Sequence, residues 1–169
     1  NLCEKRRERR AMVLLWSVLL VLSSLLGVYM YALFYKSRYR ISNRLGFTVT
    51  LAAGQITGFV ISMMLYLIFP MDFPVICTVN LWIGIVIGAQ FGSIVRKQSV
   101  LAGSFNGGVA AVMGTMVGTV AFDPSLCGLP ASNMSFQNTG IVIGVFGLLL
   151  LCATTLLVRF SVMNGRESS

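Results

Sequence analysis

The chain of 169 residues is 56% apolar and only 11% charged, with a net charge of +8, no histidine and five acidic residues. Soluble domains carry about 25% charged residues, and a mean hydropathy of +0.84 is more hydrocarbon than so short a chain can hide from water. Lipid is therefore the expected solvent, and the shortage of His, Asp and Glu removes most catalytic and metal-site chemistry.

Five apolar segments follow one another, each read against a hydrocarbon core of ~30 Å that needs about 20 helical residues. The first covers 11–35, after the basic run Glu4-Lys-Arg-Arg-Glu-Arg-Arg10. The second covers 45–69 and stops at Pro70, and the third covers 75–95, closed by Arg96 and Lys97. The fourth covers 100–122, before Asp123-Pro124, and the fifth 139–158, before Arg159. Without water to satisfy peptide groups, such segments must be helices. The expected fold is an all-α integral membrane protein, a bundle of about five transmembrane segments.

Charge placement predicts orientation. Linkers 36–44 and 96–97 hold Lys36, Arg38, Arg40, Arg44, Arg96 and Lys97, and the tail adds Arg159 and Arg166. Linkers 70–74 and 123–138 hold only Asp72 and Asp123 as charged residues, each placed to form a turn before a proline. Basic residues stay on the cytoplasmic side. Linkers 36–44 and 96–97 and the C-terminus are thus expected inside a plasma membrane of bacterial type, and linkers 70–74 and 123–138 outside. The first segment conflicts with this pattern: if it spans, the five basic residues at positions 5–10 lie outside. A re-entrant path broken near Ser23-Ser24 or Gly27 would remove the conflict, but an unbroken apolar run of this length is expected to span.

A shift of 50 residues places Leu51 on Leu101, Gly58 on Gly108, Met63 on Met113, Pro74 on Pro124 and Cys77 on Cys127. A further six brings Gly84-Ile-Val-Ile-Gly88 onto the identical Gly140-Ile-Val-Ile-Gly144. The expected organisation is a basic N-terminus with a leading helix and linker (1–44), a first repeat hairpin (45–97) and a second with a short polar tail (98–169). Two-helix units in tandem would be parallel repeats about an axis along the membrane normal.

Glycines recur at four-residue spacing: Gly54 and Gly58; Gly84, Gly88 and Gly92; Gly114 and Gly118; Gly140 and Gly144. This spacing lets helix backbones approach closely, either inside the chain or against a second copy or a larger complex. Polar groups at membrane depth include Gln55, Asn80, Gln90 and Asn106. An amide in hydrocarbon needs a partner, so these either bond between helices or line a pathway. Cys77 and Cys127 are expected at one depth near the outer surface. They would form a disulfide, pack as thiols, or join Met63 and Met113 in a soft-metal site.

No nucleophile elbow, phosphate loop or pair of buried acids is present, so an enzyme is not expected, nor is a cofactor. The basic residues border apolar runs, which points to anionic lipid headgroups and away from nucleic acid. The sequence reading is a transporter or channel component for a soft metal ion or a small neutral solute. The alternative is a non-catalytic accessory subunit of a larger membrane complex.

Overall fold

The computed structural model describes residues 2–37, 43–69, 71–94, 97–122 and 136–164. Five helices fill them: α1 (Leu2–Ser37), α2 (Asn43–Ile68), α3 (Phe73–Ser93), α4 (Lys97–Phe122) and α5 (Phe136–Asn164). Each contains a stretch long and apolar enough to cross a bilayer, from Val13–Lys36 in α1 to Gly140–Phe160 in α5. The protein is an all-helical, multi-pass membrane bundle. Cys127, Asp123, Arg96, most of the 123–138 linker and the 165–169 tail lie outside the described residues.

The helices outrun the apolar segments because regular hydrogen bonding continues into the polar flanks. Their ends have local causes. α2 stops at Ile68, ahead of Phe69-Pro70, since a residue before proline is pushed out of the helical region. α3 starts after Asp72, whose backbone is extended (φ −54°, ψ 131°), with Pro74 in the first turn, where a missing N–H does no harm. The Asp72 carboxylate makes no capping bond; its main-chain carbonyl instead accepts from the amides of Val75 (3.0 Å) and Ile76 (3.1 Å). The turn expected at Asp72 is therefore built by backbone.

α1 is unbroken. Ser23 turns its hydroxyl back to the Leu20 carbonyl (2.9 Å), and Gly27 lies against α2, where a Cβ would come within 2.7 Å of Thr57 Cγ2. Gly27 marks a close approach and not a break, so the re-entrant alternative is not realised. Contacts fix the helix directions. Trp16 of α1 packs with Met64 of α2, Gly144 and Leu151 of α5 and Ala121 of α4. Met30 and Phe34 pack with Ala53, Phe91 and Val158. α1, α3 and α5 thus run one way and α2 and α4 the other. Below, the proximal end is the one where α1 finishes and α2 starts; the distal end is opposite.

α2 is the centre of the bundle, touching all four other helices. Of its membrane window 56% is buried, against 22% for α1. The outward faces of α1 and α5 are broad and apolar, with Leu14, Val18, Leu25, Val28, Val142, Phe146, Leu149 and Leu157 exposed to lipid.

The tightest contact joins α3 to α4, and it is made by backbone. A Cβ on Gly88 would run into the Gly103 carbonyl, one on Gly84 into the Gly107 carbonyl and one on Gly92 into the Ser99 carbonyl. Gly103 and Gly107 face the same obstruction from α3. The third helix, α2, joins at Gly58, whose Cβ would stand 3.5 Å from the Gly107 carbonyl oxygen. Elsewhere glycines receive side chains: Gly54 takes Phe91, Gly118 takes Tyr66, and Gly140 and Gly144 take the Trp16 ring. Gly114 takes the Phe59 backbone.

The two hairpins are therefore not packed alike. The matching pentapeptides meet backbone in one case and an indole in the other, and α4 and α5 touch less than α2 and α3 do.

Two neighbouring glycines separate these effects. Gly88→Ala is expected to destabilise by ~1–3 kcal/mol through overpacking against backbone that cannot yield. Gly58→Ala should be neutral or stabilising by up to about 1 kcal/mol, because alanine is the better helix former and meets only ordinary contact. Denaturation of both variants in detergent checks the order; equal effects would contradict it.

Candidate functional site

Two sets of polar side chains at membrane depth stand out among the described residues. The first is a junction of three helices. Asn80 of α3 is fully buried (0% exposed). Its Nδ2 donates to Thr115 Oγ1 of α4 (2.8 Å) and to the Ser62 carbonyl of α2 (3.2 Å). Thr115 passes its own proton to the Ala111 carbonyl (2.8 Å). The sequence places these groups simply. Asn80 stands one turn beyond Gly84 on the row that carries Gly88 and Gly92, and Thr115 continues the row Ser99, Gly103, Gly107, Ala111. The glycine seam brings the helices close enough for short side chains to bond across it. Such interhelical bonds contribute ~0.6 kcal/mol on average and up to about 1.7 kcal/mol.

The second is a stretch of α2 that the other described helices leave exposed. Phe47, Thr48, Ala52 and Gln55 are exposed, whereas from Ile56 to Ile68 no residue of α2 is. Thr48, Ala52, Gln55 and Phe59 fall on one stripe by helical spacing. At Phe59 that stripe is covered by α4, through Gly114. Proximal to it α4 has left the stripe, because its own proximal end is tied to α3 through Ser99, Val100 and Gly92. Asn106 of α4 is half-buried and adjoins in sequence Gly107, which touches Gly58. At 1.5 Å per residue, Gln55 lies about 16 Å from Arg44 and Asn106 about 14 Å from Lys97, so both sit near the middle of a 30 Å core.

Gln90, by contrast, is on the outward stripe of α3 with Val79, Trp82 and Val86, opposite the glycines. It lies about 6 Å from the helix end at Ile94, within reach of the headgroup layer. The four amides singled out in the sequence thus divide: Asn80 in the buried junction, Gln55 exposed on α2, Asn106 half-buried on α4, and Gln90 on the outward stripe of α3.

The sulfur residues do not converge among the described residues. Met63 is buried against Gly147 of α5, while Met113 is 56% exposed on the lipid face of α4. Cys77 and Cys152 are half-buried free thiols on different helices, and Cys127 lies outside the described residues. Among the described residues no three His, Cys, Asp or Glu side chains group as a metal site. The sequence reading missed Gly103 and Gly107, although Ser99, Gly103, Gly107 and Ala111 repeat the four-residue spacing of small residues. It also missed Ser62, which carries no motif.

A double-mutant cycle on Asn80→Ala and Thr115→Val should give a coupling of ~0.6–1.7 kcal/mol in detergent unfolding. Additive losses would contradict a direct bond.

No protein-family model, curated protein or solved structure matches the chain.

Proposed function

We propose that the chain is a non-enzymatic component of a membrane transport pathway for small, neutral, hydrogen-bonding solutes, with the proximal end in the cytoplasm of a cell whose plasma membrane it spans. The observation that supports this reading is an exposed Gln55 on α2 and a half-buried Asn106 on α4, at similar height near mid-membrane. An exposed amide facing hydrocarbon loses several kcal/mol of solvation, so water entering from the proximal end is the economical surrounding for Gln55. Neutral amides can exchange hydrogen bonds with an uncharged solute but offer no counter-charge to an ion. The dispersed positions of Cys77, Met63 and Met113 favour a neutral solute over a soft metal.

Orientation follows from charge. Lys36, Arg38, Arg40, Arg44, Arg96, Lys97, Arg159 and Arg166 outnumber the five basic residues of positions 5–10 at the other end of α1, and the excess is retained inside. Contact with anionic headgroups at that rim accords with the same distribution.

One observation favours the accessory-subunit reading. Trp82 is 64% exposed about 14 Å along α3, on the stripe that also bears Gln90. Tryptophan prefers the membrane interface, and a protein neighbour there, whether a second copy or a larger complex, would account for it. A pathway component seated in an assembly satisfies both observations.

Liposomes containing the purified protein should swell faster than empty ones in urea or glycerol gradients, and Gln55→Leu or Asn106→Leu should lower that rate about tenfold, the loss of roughly 1.4 kcal/mol of stabilisation. In a chain with its native cysteines replaced, Gln55→Cys should react with a membrane-impermeant maleimide added on the cytoplasmic side. Swelling equal to that of empty liposomes, with an unreactive cysteine at 55, would overturn the proposal.

A further inference from the structure

The three-helix junction contains more polar capacity than its hydrogen bonds use. Asn80 and Ser62 are both 0% exposed, yet Asn80 Oδ1 and Ser62 Oγ have no partner. The two atoms belong to residues already linked, since Asn80 Nδ2 donates to the Ser62 carbonyl. Reversing the Asn80 amide does not help. It would set Oδ1 against the Ser62 carbonyl oxygen, two acceptors face to face, so the donor set fixes the orientation.

Ser62 is also unusual for a helical hydroxyl in this protein. Thr50, Thr57, Ser104, Thr115 and Thr155 each turn back to the carbonyl one turn earlier, at 2.7–2.8 Å. Ser62 does not. A buried polar atom left without a partner is unfavourable, and here two occur in one junction. Ser99 Oγ is likewise unpartnered, but it stands alone near the proximal end of α4.

We infer that the junction of Ser62, Asn80 and Thr115 holds one water molecule, which donates to Asn80 Oδ1 and bonds to Ser62 Oγ. Water matches the requirement in number and in sign: Oδ1 only accepts, Oγ accepts or donates, and a water supplies two donors and two acceptors within a small volume. A hard cation does not match. It needs six or more oxygen ligands, and the amide N–H groups of Asn80 stand beside the two oxygens. The water joins α2 to α3 on the distal side of the Gly58–Gly84–Gly107 contact, in a place that hydrocarbon surrounds. The inference does not depend on the transport reading.

An experimental structure of the wild-type protein at about 2 Å resolution tests it, with hydrogen bonds expected at about 2.7–3.2 Å. Density within that distance of both Asn80 Oδ1 and Ser62 Oγ is the expected result. Density touching only one of them, or a Ser62 hydroxyl turned to its own helix with no density at all, overturns the inference. In parallel, Ser62→Ala leaves the Asn80 bond to the Ser62 main chain in place. A bridging water makes the melting-temperature losses of Ser62→Ala and Asn80→Leu smaller together than their sum. Strict additivity counts against it.

Discussion

The close approach of two backbones, α3 on α4, is the constraint from which the rest of the arrangement follows. In lipid no hydrophobic gain drives helices together, because side chains meet hydrocarbon either way. What remains is dispersion, and it is strongest where nothing stands between the main chains. Gly84, Gly88, Gly92, Gly103 and Gly107 clear that space over about two turns. Once the two helices lie so close, Asn80 and Thr115 are within bonding distance, and Gly58 lets α2 join them. The same contact holds the proximal part of α4 on α3 and so leaves the α2 stripe at Gln55 uncovered.

Around this three-helix unit, α1 and α5 are attached differently. Trp16 fills the space over Gly140 and Gly144, and Met63 and Met64 fill gaps among α2 and α5. These are large, adaptable side chains over small ones, an arrangement less demanding than glycine on glycine. Both peripheral helices keep most of their surface toward lipid. The bundle thus consists of a rigid seam with two helices laid along one side of its central member.

Much of the architecture was legible in the sequence, because membrane thickness sets segment length and prolines and charges mark the ends. The apolar run at 75–95 is an example: it becomes α3, which starts two residues earlier with Pro74 inside its first turn. The glycine spacing also foretold close packing, and α3 provides it. What spacing lacks is the identity of the partner. Gly140 and Gly144 repeat the residues of Gly84 and Gly88 yet meet an indole, since the surface opposite them belongs to another helix. Amide placement was equally hidden. Gln55 and Asn80 look alike as polar residues in apolar runs, and only the placement of neighbouring helices leaves one exposed and the other sealed. The length of the apolar run already favoured a continuous α1; what no linear reading supplies is the Thr57 methyl lying against Gly27.

The most direct test of the seam is magic-angle-spinning NMR on protein labelled at glycine Cα and reconstituted in lipid bilayers. Helices with ordinary side chains between them stand 8–10 Å apart, too far for strong glycine-to-glycine transfer between their backbones. Direct contact predicts cross-peaks linking Gly88 to Gly103 and Gly107, and Gly84 to Gly107. A spectrum in which glycines of α3 correlate with none of those in α4 would contradict the account.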